Sequence, residues 1–232
     1  RERQPLQWVD VPALDAMAMP EADRPVIAAL RLPDLYLITP DLPPSECDAI
    51  VPTVERAIAG GIRLIQLRLP QWSRAQMHEL AARLRSITRA ADCRMLVNAD
   101  IELAIDADLD GVHLPALAAA NYFARPLPAS KWLGVSCHDA NELAHAARIG
   151  ADFATLSPVN ATASHPGGVA LGWERFSELV ANATIPVYAL GGMSRRDSAN
   201  AMESGAQGIA AIRALWSADH YVSDRAPRAR AR

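Results

Sequence analysis

Hydrophobic positions in this chain fall into short unbroken runs separated by amphipathic stretches, the pattern of buried parallel strands alternating with helices. Leu35–Thr39 (LYLIT) reads as a strand, and Ser45–Ala59 as a helix with Ser45 at its N-cap and Gly60-Gly61 at its end. Ile62–Leu67 is a second strand, Ser73–Ala91 a long amphipathic helix capped by Ser73, Arg94–Val97 a third strand and Asp100–Ala107 a short helix. Gly111–Leu114 is the fourth strand, followed by an alanine-rich stretch to Phe123; Trp132–Ser136 is the fifth, with a helix over Asp139–Ile149 capped by Asp139. Phe153–Leu156, Pro186–Leu190 and Gly208–Ile212 complete the strands, with helices over Trp173–Ala181, Ser194–Ser204 and Arg213–Tyr221.

Eight strand–helix units in succession predict an α/β protein of the (β/α)8 TIM-barrel type over residues 34–221. A doubly wound open sheet is the rival, with fewer units as a rule. Glycines at 61, 111, 150 and 205 recur ahead of strands and read as helix stops. Residues 1–33 are proline-rich, with one short apolar pattern at Val26–Leu30, so they form an appendage that must dock on the barrel. A start at Arg1 rather than Met reads as a fragment, and 222–232 as a disordered basic tail.

Composition narrows the class. The chain has 232 residues, half of them hydrophobic, enough for one large core. A net charge of −3 argues against a nucleic-acid partner. No apolar run approaches the roughly 18 residues that a membrane span needs, and polar Arg1–Gln7 leads into no apolar leader segment. Cys47, Cys93 and Cys137 are widely spaced and fit reduced thiols in a cytoplasm; Cys137 is either a pocket residue or a buried inert thiol.

Candidate chemistry gathers where the strands end. A barrel collects its strand C-termini at one face, which brings together Gln66, Arg68, Asn98, His113 and Ser136. The loop after the sixth strand carries Ser157, Asn160, Thr162, Ser164 and His165. Gly191-Gly192 passes from a strand into a helix, where backbone N–H groups can approach an anion. Together with Ala211 and Ile212 it predicts a phosphate-bearing small molecule held by main-chain amides. His113 is either a structural hydrogen-bonder or a catalyst. His165, in its loop, is a candidate proton shuttle.

These residues resemble the thiamine phosphate synthase/thiazole tautomerase (TenI-like) family across Asp34–Ser217. LYLIT, QLR at Gln66–Arg68, VN at Val97-Asn98, DGVHL at Asp110–Leu114, GVS at Gly134–Ser136, GADF followed by SPV, and ALGGM at Ala189–Met193 carry it. The resemblance implies a synthase that joins a pyrimidine methyl pyrophosphate to a thiazole phosphate with magnesium. Gln66 would face the pyrimidine, Arg68, Asn98 and Ser136 the pyrophosphate, and Thr162, Ser164, Gly191 and Gly192 the thiazole phosphate. This chain departs from the family pattern at four places. Pro70 and His165 replace lysines, Ala99 replaces a magnesium-binding aspartate, and Pro115–Ala118 replaces an acidic segment with the second one. The departures direct the reading to the tautomerase branch, which needs no metal and uses a loop histidine as base. That histidine's position is Pro158 here, and His165 is the substitute, with Arg68 holding a carboxylate.

The leading expectation is therefore a phosphorylated-heterocycle barrel with tautomerase chemistry and no cofactor. Thiamine phosphate synthase, with magnesium, is the alternative. Leu6–Leu30 also resembles the last strand and helix of a Nudix hydrolase, through Trp8-Val9, Leu14, Met19-Pro20 and Arg24–Ile27, without the catalytic glutamate box. That makes a non-catalytic module of a Nudix fusion the third reading. Oligomeric state stays open, a homodimer included.

Overall fold

A computed structural model describes residues 7–17, 19–162 and 169–216. Eight parallel strands close into a barrel in sequence order: β1 (Leu35–Ile38), β2 (Leu64–Leu67), β3 (Arg94–Asn98), β4 (Gly111–Leu114), β5 (Trp132–Cys137), β6 (Phe153–Leu156), β7 (Val187–Leu190) and β8 (Gly208–Ala211). The ring closes where Leu35, Tyr36 and Leu37 pair with Ile209, Ala210 and Ala211. Helices α1 (Arg24–Arg31), α2 (Cys47–Ala59), α3 (Arg74–Ala90), α4 (Ile101–Asp106), α5 (Ala116–Ala119), α6 (Ala140–Arg148), α7 (Gly172–Val180), α8 (Ser198–Glu203) and α9 (Arg213–Trp216) accompany them. None of the described helices is long and apolar enough to cross a membrane.

Because a closed barrel has two buried faces, the strands read as continuous apolar runs rather than alternating ones. One set of side chains, among them Leu37, Ile65, Val97, Val112 and Val135, packs against the helices; the other, Tyr36, Leu64, Leu96, Phe153, Tyr188 and Ala210, fills the interior. Tyr36, Phe153 and Tyr188 make edge-on and tilted ring contacts at 5.5–5.6 Å and plug the middle of the barrel. The plug makes the barrel a solid core with one usable end.

The appendage closes the other end. Ala28 and Leu32 join the interior cluster from below. Gln207 donates to the carbonyls of Ala29 and Leu32, Arg94 donates to that of Arg31, and Tyr188 donates to that of Pro33. Asp152 anchors this floor, accepting from Arg24 Nε at 3.0 Å, Arg125 Nη2 at 2.7 Å and Leu133 N at 2.7 Å. The Nudix resemblance implies a strand over Trp8-Val9, but residues 7–10 carry none and Val11–Ala16 is a 3-10 helix. A strand there would need a neighbour to pair with.

Other boundaries differ for local reasons. Pro44–Glu46 forms a 3-10 turn before α2, so Ser45 does not cap that helix. Ser73, by contrast, forms a capping box with Gln76, and Asp100 and Asp139 cap α4 and α6. Gly111 is not a helix stop: it lies inside β4, where a Cβ would stand 2.0 Å from the Trp132 carbonyl oxygen. Asp108, at φ 48°, makes the left-handed turn in that unit. The tail at 222–232 and the end of the helix expected to reach Tyr221 lie outside the described residues.

Asp152 and Arg125 are 6% and 13% exposed, so removing the carboxylate strands a buried guanidinium and an amide. Asp152→Ala is expected to lower stability by about 3 kcal/mol in urea denaturation. Arg74→Ala, which breaks only the exposed pairs to Asp100, Glu102 and Asp106, is expected to cost under about 1 kcal/mol.

Candidate functional site

The interior changes character toward the strand C-termini. Above the aromatic plug, polar side chains take the inward positions. Gln66 Nε2 donates to Asn98 Oδ1 at 3.1 Å across β2 and β3. His113 on β4 lies between Tyr36 Oη, at 3.1 Å, and Ser136 Oγ on β5, at 2.9 Å. Desolvation holds the His113 imidazole down at a pKa of about 3, so the ring is neutral near pH 7. Both ring nitrogens of His113 are therefore engaged within the unliganded protein. Thr155, beside Ser136 in register, is fully buried, and its Oγ1 has no hydrogen-bond partner among the described residues.

The β6–β8 side of the mouth holds a cavity of about 290 Å³ lined by Ser157, Thr162, Gly191, Gly192, Ala211, Ile212 and Arg213, with no acidic residue among the described residues of its wall. The loops after β6 and β7 are strapped together, Val159 N donating to Leu190 O at 2.9 Å and Asn160 N to Gly191 O at 3.1 Å. Gly191 and Gly192 have φ of +103° and +67°. A Cβ on Gly191 would stand 2.8 Å from Pro158 Cα, and one on Gly192 2.9 Å from the Ala161 carbonyl oxygen. Glycine is thus required twice over, by left-handed backbone and by contact with the neighbouring loop. Arg213, the first residue of α9, adds an exposed cation that sequence reading missed. Its signal was available, since a basic residue directly after β8 stands beside the barrel's usual phosphate position.

Thr162, Gly191, Gly192, Ala211 and Ile212 are therefore gathered at one cavity, and Gln66, Asn98, His113 and Ser136 at the polar floor beside it. A smaller cavity of about 190 Å³ lies over β2 and β3, lined by Pro70, Trp72, Arg74, Asn98 and Asp100 among others. Arg68 is exposed at the end of β2 and lines neither cavity; its backbone N–H donates to Thr39 Oγ1. Ser164 and His165 lie outside the described residues. Cys137 is buried, and burial raises its thiol pKa, as it does for Cys93, pushed up to about 12; both are inert thiols.

A larger concavity, about 610 Å³, lies at the opposite end, between α1 and the strand starts. Its cations are engaged: Arg24 with Asp152, Lys131 with Asp108, and Arg94 with the Arg31 carbonyl and, at 4.8 Å, the Trp132 ring. Barrels place their chemistry at the strand C-termini, so the mouth is the candidate site.

A family model described as thiamine monophosphate synthase matches residues 35–215. The chain belongs to this family. It is 36% identical over 171 residues to the thiamine-phosphate synthase of Chloroflexus aurantiacus, covering 73% of this chain and 79% of that one. It is 33% identical over 171 residues to the thiamine-phosphate synthase of Archaeoglobus fulgidus, covering 71% and 78%. Among solved structures, the thiamine phosphate pyrophosphorylase of Pyrococcus furiosus superposes with a TM-score of 0.67 at 27% identity, over 81% of this chain and 90% of that one.

The β2–β4 rim of this thiamine monophosphate synthase relative is poor in carboxylates. Magnesium takes a tight oxygen octahedron in which one or two protein carboxylates complement waters and substrate phosphates. The rim offers Asn98, Ala99, His113 and Pro115, and the nearby Asp100 carboxylate is spent on capping α4 and pairing with Arg74. Among the described residues there is no cluster of three or more His, Cys, Asp or Glu. The residues present do not fit a magnesium site. Ala99 is exposed and has φ 64°, a conformation that Asp, Asn and Gly adopt readily and alanine does not.

Ala99→Gly is expected to stabilise the protein by about 0.5–1 kcal/mol, since relief of the left-handed strain exceeds the added chain entropy of the unfolded state. Gly192→Ala is expected to do the reverse; urea melts of the two variants read both. His113 carries a pH dependence as well. Its folded pKa of about 3 lies below the ordinary 6.5, so between those values the unfolded chain binds more protons and stability falls as pH falls. The urea midpoint is expected to drop from pH 7 to pH 4, and to drop less in His113→Gln.

Proposed function

We propose that the barrel mouth binds a thiazole phosphate or a closely similar phosphorylated heterocycle. The observation that carries this reading is the cavity formed by the Gly191-Gly192 turn and the start of α9 at Arg213, without an acid among its described lining residues. Main-chain amides at such a turn suit a phosphate, and an arginine beside them adds a charge-assisted contact. Thr162 donates from the β6 loop, and Ser164 is assigned the same role by the family resemblance. The ring of the heterocycle would extend toward Ser136, Asn98 and Gln66 at the polar floor.

Of the chemistries open to such a site, formation of thiamine phosphate is the one the relatives support, because the similar proteins carry that name. In that reaction the phosphorylated thiazole is one of two substrates. Arg68, Gln66, Asn98 and Ser136 would then hold the pyrimidine pyrophosphate without the carboxylates that the family pattern places there. The second reading, a metal-independent thiazole tautomerase, is favoured by the donor set of the β2–β4 rim. There Arg68 holds the substrate carboxylate and His165 serves as the base. The Nudix resemblance of Leu6–Leu30 rests on sequence alone, and a ligand-binding module without turnover is the third reading.

Isothermal titration with thiazole phosphate is expected to show binding by the wild type. Arg213→Ala should weaken it on the order of 10-fold or more, the size of a charge-assisted hydrogen bond. No binding by the wild type sinks the proposal. Incubation with both substrates, with and without magnesium, separates the chemistries by product. Thiamine phosphate supports the synthase reading. Turnover of the thiazole tautomer without metal, lost in His165→Ala, supports the tautomerase. Binding with neither product supports the module.

A further inference from the structure

Beneath the mouth, a file of three polar side chains from β1, β4 and β5 runs from the aromatic plug to the rim. Tyr36 Oη lies 3.1 Å from His113 Nδ1, and His113 Nε2 lies 2.9 Å from Ser136 Oγ. Tyr36 and His113 are buried, whereas Ser136 is half-buried and reaches the mouth. The file exists because Gly134, the register partner of His113, has no side chain; a Cβ there would stand 2.6 Å from Nδ1.

The direction of the hydrogen bonds follows from what each atom can do. Tyr36 Oη is packed among Phe153, Tyr188 and the imidazole, and Nδ1 is its one hydrogen-bond partner among the described residues. The phenol carries one hydrogen, and a buried O–H without an acceptor is costly, so it donates to Nδ1. Nδ1 therefore carries no proton. The neutral imidazole has its proton on Nε2, which donates to Ser136 Oγ. Ser136 Oγ accepts from below, so its own hydrogen is directed away from His113.

We propose that Tyr36 and His113 are positioning residues that lock Ser136 as a hydrogen-bond donor to the ligand. Ser136 then offers its hydrogen to an acceptor on the ligand, such as an anionic oxygen or a ring nitrogen bearing a lone pair. The inference rests on the phosphorylated-heterocycle reading for the identity of the ligand, but the lock itself belongs to the unliganded protein.

Two measurements test it. Long-range nitrogen–proton correlation spectra of the unliganded protein at pH 7, assigned with His113→Gln, report the tautomer directly. The expected result is a protonated Nε2 and an unprotonated Nδ1; the opposite tautomer, or an imidazolium, overturns the proposal. Thiazole phosphate is then titrated into the wild type and Ser136→Ala, with inorganic phosphate as a second probe. Loss of the donor is expected to weaken thiazole phosphate on the order of 10- to 100-fold, the size of a hydrogen bond to a charged acceptor. Ser136→Thr is expected to restore binding. Equal affinities for the wild type and Ser136→Ala overturn the donor role even if the tautomer is as expected. Should the wild type bind neither probe, the functional reading fails, and the tautomer alone decides the lock.

Discussion

The small closed interior of the eight-stranded barrel governs everything else in this molecule. Inward positions on eight strands must be filled completely, and a void there has no solvent to fall back on. Tyr36, Phe153 and Tyr188 fill the middle with three rings, and α1 seals the floor with Ala28 and Leu32. That leaves one end open. Polarity then follows height: apolar and aromatic side chains below, and Gln66, Asn98, His113 and Ser136 above them. His113, buried directly above the plug, is tolerated because both its nitrogens find partners, and burial keeps it neutral.

The two halves of the mouth have different chemistry. On the β6–β8 side, backbone geometry does the work. Gly191 and Gly192 lie hard against Pro158, Asn160 and Ala161, and a side chain at either would push the loops apart. Such a turn is fixed by packing alone, since it cannot be altered without strain. On the β2–β4 side, the loops after the strands carry Pro70, Ala99 and Pro115–Ala118, uncharged residues that the barrel accommodates without disturbing a strand. Strand pairing is indifferent to the side chains at those loop positions, whereas the glycine turn depends on having none.

Much of the fold could be read from the sequence, because the barrel imposes one rhythm on it. Every expected strand is present, with ends moved by at most two residues, since each apolar run is buried on both faces. Caps were legible where the side chain had no competitor, as at Ser73, Asp100 and Asp139; at Ser45 the preceding Pro43-Pro44 starts a 3-10 turn instead. Gly111 was misread because a helix stop and a close strand crossing both demand glycine. The site residues were legible as a group, since strand ends converge in any barrel. Which of them share a cavity was not, because that depends on loop packing. Hence Arg213 escaped notice, and Arg68, grouped with the other strand-end residues, lines neither cavity of the mouth.

Ala99 links these observations. Its left-handed backbone is strained for alanine, yet Ala99 N still donates to the His113 carbonyl and Asp100 N to that of Asn98. The first bond ties the end of β3 to β4, and the second closes the turn that presents Asp100 as the cap of α4. The turn is thus held by the barrel's own hydrogen bonding, not by whatever side chain occupies its apex. A carboxylate at that apex could be exchanged for a methyl group at a cost of about 1–2 kcal/mol and no change of fold. The barrel preserves the turn because the strand needs it, and strand pairing sets no requirement on the side chain at its apex.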